Sequence, residues 1–140
     1  MYEKPILSLA ETQAAMGAML EEALKRPDRA VAIAMVDDGG DLIGYAKMDN
    51  CDKLAQRLAV RKAYTSAMFG RDTQERFDML KEEGRNILEY TDPNMIGAPG
   101  GVGIVRPSDG AKLGGIGVSG IGGPDNEALG HVGLKALNLS

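Results

Sequence analysis

The chain has 140 residues, a formal net charge of −4 and 44% apolar residues. This length suits a single domain, residues 1–140, and this composition is typical of a globular protein. No apolar run approaches the length of a membrane span, and mild acidity without a basic tract argues against nucleic-acid binding. The single cysteine, Cys51, excludes an internal disulfide framework, and the N-terminus lacks a secretion signal, so we expect a cytoplasmic protein.

Glycine is the outlier of the composition, at 19 of 140 residues, roughly twice its usual share of ~7%. Thirteen of the 19 lie from Gly97 onward. Valine, isoleucine and leucine separate them, which argues against a flexible linker. We therefore expect a closely packed wall of glycines in this part of the chain.

In chain order, the first predicted elements are a helix and a hairpin. Ser8 and Glu11 have the spacing of a capping box, and helical periodicity follows to about Lys25. Two apolar runs, Ala30–Val36 and Leu42–Met48, flank a turn rich in aspartate and glycine. This pattern predicts two paired strands.

Two helices and a loop are predicted next. A long helix follows Asp49 and Asp52 and runs to about Phe69, and alanine recurs in it every four residues, which predicts close packing against a sheet. A shorter helix follows, capped by Asp72 or Thr73. The following glycine- and proline-rich segment reads as loop, with a short strand or a helical turn near Ile87–Tyr90.

Two further strands, Gly101–Val105 and Leu113–Ser119, form a second predicted hairpin. Pro124 or Asp125 then opens a last helix that runs to about Leu137. The order helix–strand–strand–helix–helix–strand–strand–helix predicts an α+β domain with an antiparallel sheet and room for a fifth strand.

Residues 115–120 match the G-x-G-x-x-G pattern of dinucleotide-binding proteins. The match lies inside the last predicted strand, with no parallel strand after it, so we reject that interpretation. Glycines in a strand instead permit close approach of a backbone, a helix or a flat ligand. The run from Ser119 leads into a helix N-terminus, where Asp125 either caps its own helix or also borders an anion pocket.

The long helix carries a positive face. Arg61 and Thr65 continue a four-residue spacing that begins at Lys53, and Lys62 and Arg71 add charge nearby. Either this face is solvated and paired with acidic neighbours, or Arg61 or Lys62 binds an anion such as a propionate.

His131 is the only imidazole, which makes it a candidate acid/base or haem ligand as well as an ordinary exposed helix residue. One histidine without cysteine partners argues against a protein-only metal site. The candidate acids for proton transfer are Asp37, Asp49, Asp125 and Glu127.

Several of these stretches together resemble one known family. They are residues 32–37 (AIAMVD) with Gly39 and Gly40, residues 47–49 (KMD), residues 61–65 (RKAYT), residues 69–71 (FGR), Gly100 with Gly101, and residues 114–120 (GGIGVSG) followed by Asp125. The joint pattern covers nearly the whole chain and is similar to that of the GlcG/HbpS-like family.

The resemblance implies a profilin-like α+β fold, with an antiparallel sheet of about five strands, helices on both faces, and homo-oligomers from dimers to octamers. Some relatives bind haem, others accompany corrinoid adenosyltransferases or glycolate and diol utilisation, and a few act in the catabolism of aromatic ring-cleavage products. By position, the implied ligand-binding residues are Arg61, Lys62, Thr65, Arg71, Gly100, Gly101, Ser119, Gly120 and Asp125.

Two functions follow from the residues and the resemblance together, and a non-catalytic scaffold without a usable ligand pocket is the third interpretation. The first is a binding protein for haem or another planar anionic cofactor, in which His131→Ala should weaken the haemin Soret shift. The second is a small cofactor-independent enzyme, a deaminase, hydratase, tautomerase or decarboxylase, acting on an unsaturated carboxylic acid. Arg61 or Lys62 would hold the carboxylate, and the proton would be moved by one of Asp37, Asp49, Asp125, Glu127 and His131.

Overall fold

The computed structural model describes residues 1–140, and its element order is the predicted one. The elements are α1 (Leu9–Ala23), β1 (Ala32–Asp37), β2 (Leu42–Lys47), α2 (Lys53–Phe69), α3 (Thr73–Glu82), a 3₁₀ turn (Ile87–Tyr90), β3 (Gly101–Val105), β4 (Lys112–Ser119) and α4 (Gly123–Ala136). None of the helices combines the length and the apolar character that a bilayer crossing requires.

The first helix begins as predicted. Ser8 Oγ accepts a hydrogen bond from the Glu11 amide at 3.0 Å, and Glu11 Oε1 accepts one from the Ser8 amide at 2.9 Å. This reciprocal pair satisfies two backbone donors that the first turn would otherwise leave unpaired. The helix ends at Ala23, earlier than the predicted Lys25.

The sheet has four antiparallel strands in the order β2-β1-β4-β3. The expectation of about five strands is therefore wrong by one, because Ile87–Tyr90 forms a 3₁₀ turn. The Asn86 side chain accepts from the Leu88 amide at 2.9 Å and starts this turn. Prolines at 93 and 99 follow it and cannot donate to a strand ladder, which favours loop over strand in this segment.

Two hairpins join in the middle of the sheet, where β1 pairs with β4 from Ala32 opposite Ser119 to Asp37 opposite Gly114. In the β1–β2 turn, Asp37 Oδ1 accepts hydrogen bonds from the amides of Gly39 and Asp41. The carboxylate of Asp37 is thereby used to build the turn.

The alternation of side chains along the strands separates two cores. On one face, Ile33, Met35, Ile116 and Val118 pack in a cluster with residues of α1 and α4. On the other face, the small residues of β1 meet the predicted alanine stripe of α2, with Ala59 fully buried. Helices therefore cover both faces of the sheet, as expected.

The glycine wall is the surface on which α2 lies. A Cβ atom at Gly117 would stand 1.8 Å from the Ala59 carbonyl oxygen, and one at Gly115 would stand 2.3 Å from that of Ala63. No side chain larger than hydrogen fits between this strand and the helix backbone. The close approach that these glycines permit is thus made by the backbone of α2.

Candidate functional site

An apolar groove lies between α1 and α4, on the face of the sheet opposite α2. It encloses about 270 Å³, and six of its ten lining residues are apolar. We call it the α1/α4 groove; its lining is Glu22, Ala23, Arg26, Arg29, Val31, Ile121, Asp125, Ala128, Leu129 and Val132. A small apolar cavity with a few charged groups is the usual form of a small-molecule site.

Arg29 stands at the mouth of this groove and ties it to the start of α4. Its Nη2 donates to the Ile121 carbonyl at 2.8 Å and to Asp125 Oδ2 at 2.9 Å. Both bonds use the same nitrogen, so Nη1 and Nε remain for a ligand. Arg26 has no carboxylate partner, whereas Glu22 is paired with Lys25. Arg26 is therefore the one charged group of the lining that has no partner in an ion pair.

The start of α4 differs from the prediction. The helix begins at Gly123, with Gly122 in the cap position, and no side chain caps it. Asp125 does not cap its own helix, because its carboxylate turns to Arg29 and lines the groove. The uncapped helix end leaves backbone N–H groups and the positive end of the helix dipole near the groove, which favours an anion there.

A second, more polar cavity of about 570 Å³ adjoins the groove and shares Arg29 and Ile121 with it. We call it the loop cavity. Gly120, one of the residues implied by the resemblance, lines it together with Asn50, which has a left-handed φ of 67°. A non-glycine residue in that conformation is uncommon and marks a constrained segment.

The other residues implied by the resemblance lie across the sheet, around α2. Lys62 is only 4% exposed, and its Nζ lies 3.3 Å from the Val118 carbonyl and 3.2 Å from Ser119 Oγ. Burial lowers the pKa of this ammonium, and no carboxylate is bonded to it. Thr65 Oγ1 donates to the Arg61 carbonyl and accepts from the Ile96 amide, which anchors the loop after the 3₁₀ turn.

Gly100 and Gly101 pack against Lys62, and the amide of Gly101 donates to Thr73 Oγ1 at 3.0 Å. Arg61 and Arg71 are exposed, and Arg71 forms an ion pair with Glu75. This half of the implied site is therefore close-packed, and its two arginines lie at the surface.

The candidate acids for proton transfer do not lie together in the structure. Asp37 builds the β1–β2 turn, and Asp49 is exposed beyond β2. Glu127 and His131 instead come together with Asp72: each can offer a ligand atom, and these atoms all lie within 4.8 Å of one another. His131 Nε2 lies 2.7 Å from Asp72 Oδ2.

Sequence reasoning missed Arg26, Arg29 and the role of Asp72. The signal for the arginines is the cluster of charge around Pro27, where the chain leaves α1. Asp72 was predicted only as a helix cap, yet its side chain makes no cap hydrogen bond.

A family model described as "Haem degrading protein HbpS-like" matches residues 7–135. The chain belongs to the HbpS-like family. This membership confirms the resemblance. Protein GlcG of Escherichia coli strain K12 is 37% identical over 119 residues, which cover 85% of each chain.

Solved structures agree on the fold. A double mutant of HbpS from Streptomyces reticuli matches with a TM-score of 0.86 and 26% identity, over 98% of this chain and 90% of that one. PduOC in complex with haem matches with a TM-score of 0.85 and 22% identity, over 97% of this chain and 98% of that one. At 22% identity the second likeness shows the fold alone.

Proposed function

We propose that this member of the HbpS-like family binds a planar, apolar ligand that carries carboxylates, and that it does so in the α1/α4 groove. The observation that supports this most is the combination of apolar walls with Arg26 and Arg29 at the rim. Apolar walls suit a conjugated ring, and guanidinium groups pair with carboxylates through two parallel hydrogen bonds. Haem has both features, and a solved structure with this fold is a haem complex.

The groove fits one part of haem better than the other. Its arginines suit the propionates, but no histidine, methionine, tyrosine or cysteine lines it. His131 is not among the residues that line the groove, and its Nε2 lies 2.7 Å from Asp72 Oδ2. The groove's own residues therefore offer recognition of a porphyrin dicarboxylate without one of the usual axial ligands for its iron.

This geometry changes the expected behaviour of His131→Ala. We expect haemin and metal-free protoporphyrin IX to bind with affinities within a few-fold of one another, and His131→Ala to leave both unchanged. Ala128→Trp fills the groove and should abolish binding of both, whereas Ala136→Trp places the same side chain on an exposed turn of the same helix and should not.

Charge at the rim is tested by Arg26→Ala, which should weaken binding by about tenfold, the order of one charge-assisted hydrogen bond. Arg57→Ala, an exposed arginine away from the groove, is the matched control. Soret titration of each variant measures the effect. Binding that requires iron, disappears in His131→Ala and survives Ala128→Trp would overturn the proposed site.

The enzymatic alternative has one observation in its favour. Asp72, Glu127 and His131 form a group of neighbouring proton carriers. The pKa of the Glu127 carboxyl is raised, mainly by burial and secondly by a hydrogen bond with Asp72. A raised carboxyl pKa suits a general acid. Turnover of an aminomuconate-type acid that is lost in Glu127→Gln and kept in Glu75→Gln would favour this function. No turnover by the wild-type chain would exclude it for that substrate class.

A further inference from the structure

The cluster of Asp72, Glu127 and His131 joins α4 to the residue that precedes α3, and none of its three members lines the α1/α4 groove. Glu127 and His131 are four residues apart on one helix face, and Asp72 immediately precedes α3. One ligand atom from each residue can lie within 4.8 Å of the other two. Two carboxylates and one imidazole thus converge from parts of the chain more than 50 residues apart, 59 between Asp72 and His131.

The carboxylate of Asp72 is held in this direction by a contact outside the cluster. Although Asp72 occupies the cap position of α3, it makes no cap hydrogen bond. Its Oδ1 instead accepts from the Gly103 amide of β3 at 3.3 Å, while Oδ2 faces His131 Nε2 at 2.7 Å. Carboxylates that bind metals are commonly oriented by a hydrogen bond to their other oxygen, and the Gly103 amide has this role for Asp72.

The charges of the cluster do not balance. Carboxylate oxygens of Asp72 and Glu127 lie within 4.8 Å of each other, and Asp78 adds a further negative charge close enough to act on Glu127. The nearest arginine in sequence, Arg71, is paired with Glu75 instead. A single imidazole, half exposed, is the only group within the cluster that can carry positive charge. A cation between the two carboxylates would offset their repulsion.

We propose that Asp72, Glu127 and His131 bind one divalent transition-metal ion of the Zn²⁺ class, through His131 Nε2 and one oxygen of each carboxylate. Mixed imidazole and carboxylate donors suit Zn²⁺, Mn²⁺ or Fe²⁺, whereas Mg²⁺ and Ca²⁺ prefer oxygen alone. Metal binding uses the lone pair of His131 Nε2, so a proton on that nitrogen moves to Nδ1 or to solvent. Solvent completes the coordination, because the His131 side chain is 48% exposed.

Sequence reasoning expected no metal site because the chain has one histidine and one cysteine. It overlooked the carboxylates of Asp72 and Glu127, which supply the remaining donors once the fold brings Asp72 next to α4.

The test uses the untagged full-length chain, titrated with Zn²⁺ and separately with Co²⁺, with Mg²⁺ as the hard-cation comparison. Calorimetry should show one saturable Zn²⁺ site per chain and none for Mg²⁺ at the same concentration. Because His131 is the only histidine, its ring protons report directly on the site by NMR. They should shift with Zn²⁺ and broaden with paramagnetic Co²⁺.

Glu127→Gln and His131→Gln should each lower the Zn²⁺ affinity by at least about tenfold, the size of effect that even outer ligands have. Glu82→Gln, on the exposed surface of α3, and Cys51→Ser, at the lone thiol, should leave it unchanged. Thermal melts without metal establish that each variant is folded.

Absence of saturable Zn²⁺ binding, or binding that leaves the His131 ring unperturbed, would overturn the proposal. Because Ala128→Trp should block the groove and leave Zn²⁺ binding intact, this site and the proposed ligand groove fail or stand separately.

Discussion

Replacing Gly117 with alanine tests the tightest contact in the fold. The new Cβ would stand 1.8 Å from the Ala59 carbonyl oxygen and 2.5 Å from the Ala63 amide nitrogen, both on the backbone of α2. Since ordinary contacts begin near 3.4 Å, α2 would have to move by about 1.6 Å against a close-packed sheet. A helix backbone cannot rotate away as a side chain can, so the cost belongs at the upper end of the ~1–3 kcal/mol known for overpacking.

Urea unfolding followed by circular dichroism measures this loss as a lower transition midpoint at unchanged slope. A loss of about 3 kcal/mol corresponds to a fall in Tm of about 10 °C for a domain of this size.

Gly17→Ala is the matched control, because the same methyl group meets nothing within 4 Å at that position in the middle of α1. There alanine should raise the free energy of unfolding by about 0.5–1 kcal/mol through helix propensity. The identical substitution thus has opposite expected signs at the two positions. If Gly117→Ala and the wild type unfold at the same urea concentration, close approach of α2 does not require glycine at this position, and the explanation of the glycine wall is wrong.

Three further predictions concern individual contacts. Ser8→Ala removes the capping box of α1 and should cost about 1 kcal/mol in urea unfolding, with Ser8→Asp costing less. Thr73→Val leaves the buried Gly101 amide without its acceptor and should cost about 1–3 kcal/mol, whereas Thr73→Ser should keep most of the stability and the slow hydrogen exchange of that amide. Folding lowers the pKa of Lys62 from its ordinary value of 10.5. Between the lowered pKa and pH 10.5, the unfolded chain therefore binds more protons at this residue than the folded chain. The free energy of unfolding should rise with pH over this interval. Lys62→Met should remove that part of the rise, and an identical pH dependence in both proteins would show that Lys62 does not contribute.

Local signals in the sequence predicted most of the fold because each acts over a few residues. The capping box at Ser8, the turn at Asp37 and the alanine stripe of α2 specify their elements without reference to distant parts of the chain. The missing fifth strand shows the limit of such signals. Ile87–Tyr90 has an apolar content that suits a strand or a helical turn, and the side chain of Asn86 decides for the turn.

The candidate site could not be predicted in the same way, because its contacts join distant positions. Arg29 meets Ile121 and Asp125 across 92 and 96 residues, and nothing in the local sequence announces either bond. The residues that the family resemblance supplied lie mainly on the other side of the sheet. Lys62 and Thr65 use their polar atoms within the fold, on Ser119 and Ile96.

The glycine excess therefore bears on function indirectly. By admitting the backbone of α2, the glycines of β4 fill one face of the sheet and leave no cavity between helix and strand. The opposite face carries larger side chains, and the α1/α4 groove lies on that side of the sheet. Because α4 turns every 3.6 residues, it presents Ala128 and Val132 to that groove and Glu127 and His131 to α3. One helix can thus serve an organic anion on one side and a metal ion on the other, and substitutions on either side should leave the other function intact.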